Sequence, residues 1–406
     1  MNPSSRVKKM QESPIRKLVP YADEARRKGV KVYHLNIGQP DIETPYIFWD
    51  AIHKYEEKVL SYSHSQGVIS YIDSTINYYR KNNIEFERDE IIITTGGSES
   101  ILFAMLACLE EKDEIIVFEP FYTNYNGFAD MAGVKLVPVR TYAENGFDLP
   151  EPEEIEKHIT AKTRAIMICN PNNPTGTVYE KEKLKKLVKI IKDRNLFLFS
   201  DEVYREFIYD GKTHTSVMEF EEISQNTILL DSISKRYSAC GARIGSIASK
   251  NKAIMSQIMK LAQARLCAPT LEQIGATALN NNIEESYFND MKNEYETRRN
   301  IVMEYLSKNK DILCLTPGGA FYIIAKIPVD DSNNFAKWML SDFNLNGETT
   351  MVAPADGFYA TEGAGKDEIR IAYILKKEDL EKAMTILLAG IEEYNRIAGE
   401  TRENHV

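Results

Sequence analysis

The stretch 229–245 reads LLDSISKRYSACGARIG: an apolar run gives way to hydroxyls and then to Lys235, with Arg243 following after small residues. A surface lysine needs no such setting. A lysine that forms a covalent imine, beside hydroxyls and an arginine that hold a phosphate, does. Other segments carry groups of matching chemistry. TTGGSES (94–100) reads as a strand, a glycine turn and a helix start capped by Ser98. Exposed N–H groups and the helix dipole there attract an anion, although an ordinary strand-to-helix turn is an equal alternative. NPNNPTG (170–176) stiffens an asparagine-rich loop with prolines, either as a plain turn or to hold an amide still for a ligand. LFLFSDEVY (196–204) ends an apolar strand at Asp201, with Tyr204 close behind. A carboxylate there is costly to bury without a cation, which is either a structural arginine or a protonated heterocycle. FEPFYTNY (118–125) places aromatics after a strand, for core packing or to stack Tyr122 on a flat ring.

One small molecule asks for all of these together. A phosphate suits the helix start, the hydroxyls and Arg243; a ring nitrogen suits Asp201; a phenolic oxygen suits an asparagine and Tyr204. With an aromatic cover and an imine-forming lysine, the set describes a site for pyridoxal 5'-phosphate, whose protonated ring is an electron sink.

The elements that must position these groups follow from the hydrophobic pattern. From about residue 91, short apolar runs (EIIITT, DEIIVFEP, VKLVPV, RAIMICN, LFLFSDE, NTILLDS) alternate with helical segments, including a Lys-rich amphipathic helix at 180–194. That alternation predicts an α/β fold with a mainly parallel sheet, whose ligands sit beyond the carboxyl ends of the strands. After about residue 285 a charged helix, strands around 312–327 and 368–374, and helices near 333–342 and 377–396 predict a smaller α+β unit, with the first 44 residues packing against it.

In this frame and in this motif order, the chain resembles the class I/II aminotransferases of the fold-type I pyridoxal-phosphate family, from LNIGQPDIETP (35–45) to IRIAY (369–373). The resemblance implies a large domain (45–285) with a mainly parallel seven-stranded sheet between helices, a smaller α+β domain from both termini (1–44 and 286–406), and a homodimer with a shared active site. It implies that Lys235 forms the covalent link to the cofactor and shuttles protons, that Asp201 pairs with the pyridine nitrogen, and that Asn173 and Tyr204 contact the phenolic oxygen. Tyr122 stacks on the ring. Gly97, Ser98, Ser232, Ser234 and Arg243 lie at or near the phosphate, with Glu99 there through its backbone N–H and Tyr62 reaching it across the dimer interface. Gly38 and Arg370 receive the substrate's α-carboxylate, Asn173 beside them. The chain departs from common family residues at Gln39, Ala242 and Tyr122, which touches the substrate pocket more than the chemistry.

The expected reaction is therefore transfer of an amino group from an L-amino acid (aspartate, aromatic or methionine-like) to a 2-oxo acid. A carbon–sulfur β-lyase would share every motif, and a transcription regulator with an aminotransferase-like sensor would need a helix-turn-helix module in front of Gly38. The 406-residue chain carries a net charge of −10, which disfavours nucleic acid as a partner. No stretch is apolar enough to span a membrane, and the N-terminus lacks a secretory pattern. Scattered cysteines and histidines predict no metal site and a reduced, cytoplasmic chain with buried thiols. Arg370, in an alternating run, has a plainer alternative as an edge-strand arginine paired with Glu368 in solvent.

Overall fold

Runs such as Ile91–Thr94, Glu114–Glu119 and Thr227–Ser232 are buried at every position, as strands covered on both faces must be. The computed structural model describes residues 1–403, with side chains through 397, and joins these runs into one seven-stranded sheet. Its order is Ile91–Thr94, Gly245–Ala248, Thr227–Ser232, Phe197–Asp201, Thr163–Cys169, Glu114–Glu119 and Lys135–Arg140. Gly245–Ala248 alone runs antiparallel to its neighbours. Four residues of small and apolar type carry no alternation, so this strand leaves no mark in the hydrophobic pattern. Lys135–Arg140, which contains Pro138, lies at the edge of the sheet, where a missing N–H costs no ladder bond.

Helices cover both faces. Lys181–Arg194 buries Leu184, Leu187, Val188, Ile190 and Ile191 along one side and ends at Asn195 in a left-handed conformation. Gly96–Cys108 begins with Thr95 as its N-cap residue; Ser98 stands inside the first turn and does not cap it. The expected cap was one turn too far along because the glycine turn itself already has helical hydrogen bonding.

The remaining segments build two smaller sheets. Tyr322–Lys326, Glu368–Ala372 and Ala353–Pro354 form an antiparallel sheet with Glu368–Ala372 in the centre. Of the strand expected around 312–327 only its second part forms, and Leu313 adds a single bridge to Lys326. Lys31–His34 pairs in parallel with Glu348–Met351. Helices Glu285–Leu306, Ser332–Ser341 and Lys377–Glu403 complete this half, and one buried cluster joins Leu18, Ala22, Tyr33 and Leu35 to Phe321, Ile369 and Leu387. Residues 404–406, at the end of the smaller expected unit, lie outside the described residues. Of the five free cysteines only Cys169 is fully buried, so the expectation of buried thiols holds for that one and not for the half-buried others. No helix among the described residues is long and apolar enough to cross a membrane.

Sheet and glycine turn touch at one point with no space to spare. A Cβ on Gly245 would stand 2.5 Å from the Gly96 carbonyl carbon and 2.7 Å from the Gly97 nitrogen. Gly245→Ala is expected to destabilise the chain by about 1–3 kcal/mol, since backbone must move to admit the methyl. Urea unfolding measures it; an unchanged midpoint would mean that the turn yields freely.

Candidate active site

Five strands of the large sheet release their next residues into one cavity of about 600 Å3. Gly97 and Ser98 follow Ile91–Thr94, Tyr122 follows Glu114–Glu119, and Asn173 follows Thr163–Cys169. Asp201 ends Phe197–Asp201, and Ser234 and Lys235 follow Thr227–Ser232. Gly38, Tyr322 and Arg370 close the cavity from the other half of the molecule.

Lys235 sits in the short helix Ile233–Arg236, where Ser232 accepts a hydrogen bond from the Ser234 N–H as N-cap. Its Nζ donates to the Gly38 carbonyl at 2.8 Å and lies 3.8 Å from Cys240 Sγ. Burial pulls the lysine pKa down, and the charges of Arg370 and Arg243 add to that, so the neutral amine is easier to reach than on a surface lysine. The turn is locked from beneath by residues that sequence reasoning missed. Asp231 accepts from the Ser232 N–H at 2.7 Å, from Arg236 at 2.7 Å and from the Tyr79 hydroxyl at 3.0 Å. This ion pair is buried on both sides of Lys235; the two charges flanking the lysine in DSISKR were its only sequence signal.

Asp201 is buried, with the Tyr125 hydroxyl at 3.0 Å from one oxygen and the Val203 N–H at 3.3 Å from the other. No arginine among the described residues meets it. Desolvation pushes its pKa from an ordinary 3.8 up to about 6, with Tyr125 and Val203 opposing the rise. A carboxylate so placed, facing a cavity with only neutral groups bonded to it, fits the protonated nitrogen of a heterocycle.

The asparagines of NPNNPTG divide their work. Asn170 accepts from the Tyr179 N–H and Asn172 from Thr175, so both hold the loop together. Asn173 faces the cavity: its amide nitrogen donates to the Tyr204 hydroxyl at 3.4 Å and its oxygen accepts from Arg370 at 3.2 Å. The Tyr204 hydroxyl also meets that of Tyr322 at 2.9 Å. Tyr322, another residue not anticipated, explains Gly38: a Cβ at residue 38 would lie 1.8 Å from the Tyr322 hydroxyl oxygen.

An anion fits the far end. Gly97 and Ser98 lie in the first turn of a 13-residue helix, Ser232 and Ser234 hydroxyls are 2.7 Å apart, and Arg243 has no carboxylate partner among the described residues. Arg243 adopts φ +54°, and its guanidinium fills the space that a Cβ on Gly96 would occupy, 2.2 Å from Nη2. Glycine is thus required where the arginine passes. Glu99 is not part of the lining: its carboxylate turns to the Thr95 N–H at 2.8 Å and to Arg265 at 2.6 Å. Tyr62 is also not brought to the cavity. It is 79% exposed and lines a separate depression that reaches Thr95 at the same helix start.

Arg370 overturns its plainer alternative. It lies in the central strand of its sheet, is fully buried, and Glu368 instead accepts from the Tyr359 hydroxyl at 2.5 Å. Its Nη2 donates to the Asn36 carbonyl at 2.6 Å, its Nε has no partner, and the rings of Tyr322 and Phe358 lie 4.7 and 4.8 Å from the guanidinium. Burial lowers its pKa, so this cation too is short of an anion. The segment bearing Tyr122 is tied to the same region, because buried Glu119 accepts from the Ala360 and Thr361 N–H groups and Phe121 donates to the Phe358 carbonyl.

These residues fit pyridoxal phosphate on the structure's own terms: a cation-lacking carboxylate, an anion-lacking phosphate cradle and a half-buried lysine share one cavity. Known proteins agree. The family described as aminotransferase class I and II matches residues 30–387. The chain is 31% identical to a probable aspartate/prephenate aminotransferase of Aquifex aeolicus, covering 96% of this chain and 98% of that one. It is 31% identical to aromatic-amino-acid aminotransferase 2 of Thermococcus litoralis, covering 94% and 96%. Among solved structures, an alanine aminotransferase from Pyrococcus furiosus superposes with a TM-score of 0.87 at 29% identity, covering 97% of this chain and all of that one. A Thermus thermophilus aspartate aminotransferase mutant superposes with a TM-score of 0.87 at 27% identity, covering 96% and 100%. With fold, cavity and kinship in accord, the chain belongs to the class I and II aminotransferase family and is a pyridoxal-phosphate-dependent aminotransferase.

Proposed function

We propose that this aminotransferase takes the amino group of an aspartate, aromatic or methionine-like L-amino acid and delivers it to a 2-oxo acid in two half-reactions, as a cytoplasmic homodimer. The supporting observation is a set of unmatched charges around one lysine: Asp201 without a cation, Arg243 and Arg370 without anions, and Lys235 in the same cavity. The names of relatives that act on aspartate or aromatic amino acids point to the donors. Free, scattered cysteines suit a reducing compartment. In this reading residues 45–285 form the cofactor-binding domain, and 1–44 with 286–406 form the smaller one.

Bound in the cavity, pyridoxal phosphate supplies the carbonyl carbon that receives the amino group and a protonated ring that draws electrons from the substrate's Cα. Lys235 would move the proton: its amine, whose charge burial disfavours, would take the Cα proton as general base and, as general acid, deliver it to the cofactor carbon that receives the amino group. Asp201 sets its charge against the ring nitrogen. Asn173 and Tyr204 hold the phenolic oxygen, and Tyr122 covers the ring. Gly97, Ser98, the Glu99 backbone, Ser232, Ser234 and Arg243 hold the phosphate. Arg370, with Gly38 and Asn173 beside it, orients the substrate's α-carboxylate through charged hydrogen bonds.

Tyr62 fits this scheme in a second copy. It is exposed, as is Leu60, with which it lines an open depression, so both are free to be covered by another chain. We assign Tyr62 to the phosphate of the partner's site.

The reading is tested first on Lys235→Ala. It should bind pyridoxal phosphate yet lose the borohydride-sensitive visible absorbance of the holoenzyme and fall at least about a thousandfold in transamination, as removal of a general base does. Near-normal turnover would refute the role, and pyruvate release from cystathionine by wild type, without transamination, would favour the lyase.

Asp201→Asn separates stability from function. With a folded pKa of about 6 against 3.8, ionised Asp201 costs the cofactor-free fold about 3 kcal/mol at pH 7. That cost is complete above pH 6, shrinks as pH falls through the folded value, and is gone below the unfolded one. Cofactor-free Asp201→Asn should therefore melt higher than wild type at pH 7–8 and lose that lead near pH 4. With pyridoxal phosphate the order should reverse. Melting curves with and without cofactor decide it; a lower cofactor-free Tm at pH 7 would show that the carboxylate holds the fold.

Subunit mixing tests Tyr62. Tyr62→Ala and Lys235→Ala homodimers, each inactive, should regain part of the wild-type rate on forming hybrids, which contain one site with both native residues. Confirmed hybrids with no gain would place the site within one chain.

A further inference from the structure

Lys235 has a second nucleophile for a neighbour, and the proposed chemistry makes no use of it. Cys240 lines the same cavity, half-buried, five residues further along the chain. The turn between them folds back on itself: Ser238 adopts φ +49°, and Arg243, just beyond, φ +54°. This return sets the Cys240 sulfur 3.8 Å from the Lys235 nitrogen. Two bonds fix its position. The thiol donates to the Ser234 carbonyl at 3.1 Å, and the Arg243 guanidinium donates to the Cys240 carbonyl at 3.0 Å. The amine facing the sulfur ends a flexible side-chain stem, so rotation about that stem closes the remaining gap.

Surroundings separate Cys240 from the cysteines of the core. Burial pushes the Cys108 and Cys314 thiols up to about 12 and holds the Cys169 thiol, at the cavity wall, well above its ordinary value, so these three stay protonated and inert. Cys240 opens instead on a cavity where Lys235, Arg243 and Arg370 outnumber the one lining carboxylate, Asp201. A partly exposed thiol among cations is the setting in which oxidants attack sulfur. Burial also disfavours charge on Lys235, which leaves its nitrogen a lone pair with which to attack in turn.

We propose that Cys240 and Lys235 together form a peroxide-responsive modification site, in which oxidised Cys240 bonds to the Lys235 amine and shuts off the active site until a thiol reduces it. In the first step the sulfur takes one oxygen of hydrogen peroxide. The O–O bond breaks, the other oxygen leaves with the thiol proton as water, and Cys240 becomes a sulfenic acid. In the second step the Lys235 nitrogen attacks that sulfur. An S–N bond forms, the S–O bond breaks, and the hydroxide leaves with a proton from nitrogen as a second water. Sulfur is oxidised and peroxide reduced, with no further reactant. Two equivalents of a small thiol reverse it, restoring the Cys240 thiol and the Lys235 amine and ending as the thiol's own disulfide, which suits the reducing compartment proposed above. The bond itself goes beyond the proposed function and borrows from it only the need for a free Lys235 in turnover.

The test treats holoenzyme with hydrogen peroxide in two states: with aspartate or phenylalanine alone, which leaves Lys235 free of the cofactor, and with 2-oxoglutarate alone, which leaves it engaged. In the first state peptide mass spectrometry should find Lys235 and Cys240 joined with the loss of two hydrogens. Activity should fall in proportion to the joined fraction and return with dithiothreitol. In the second state both effects should be weaker. Cys240→Ser should keep its own untreated rate through the same treatment. In Lys235→Ala, which has no amine to offer, Cys240 should stop at the sulfenic acid and be labelled by dimedone. Absence of the joined peptide from wild type, or inactivation of Cys240→Ser to the same extent, would overturn the proposal. Joining at equal rates in both states would uphold the bond and overturn instead the assignment of Lys235 as the lysine that holds the cofactor.

Discussion

Charge buried without its opposite is the constraint around which this molecule is arranged. Asp201 and Arg370 are both removed from water, and neither finds a counter-charge among the described residues. Each is held by neutral groups instead: hydroxyl and backbone N–H for the carboxylate, a carbonyl and an amide oxygen for the guanidinium. Such partners keep the side chains aimed but leave most of the electrostatic cost in place. In the proposed reading a cofactor and a substrate bring the missing charges, which would convert instability of the empty site into affinity for its occupants.

The same economy explains what surrounds Lys235. The base role proposed for Lys235 calls for a lowered proton affinity, and the half-buried lysine lies near cations with a carbonyl acceptor in place of a carboxylate. The carboxylate that its turn requires, Asp231, is placed below it and saturated by Arg236, Tyr79 and the Ser232 N–H. One buried ion pair holds the backbone still without adding a negative charge to the face on which Lys235 lies.

Glycine positions tie the two halves of the site together. Gly96 makes room for the Arg243 guanidinium, Gly38 for the Tyr322 hydroxyl and Gly245 for the turn that begins the phosphate-side helix. In each case the missing Cβ belongs to one segment and the group that takes its space to another. Side chains of the antiparallel Tyr322–Lys326 and Glu368–Ala372 strands thus reach into a cavity whose floor is the parallel sheet.

Much of this was legible in the chain before folding. Lys235, Asp201, Asn173 and Ser98 all sit where an apolar run gives way to polar residues, and that local signal marks the carboxyl end of a strand, where a parallel sheet collects its ligands. Strand and helix alternation likewise announced the α/β class, and motif order announced the family. What sequence could not show was pairing across distance: Arg370 with Asn36, Tyr204 with Tyr322, Gly245 against Gly96, the Asn36 amide with the Ile15 carbonyl. Nor could it show the strand Gly245–Ala248, too short for a period, or that Glu99 turns outward and Tyr62 lies outside its own chain's cavity. Periodicity and turn chemistry are written within a few residues of one another, so the sequence alone determined which groups stand at strand ends. Which charge remains without a partner depends on every segment packed around it, and that only the tertiary structure decided.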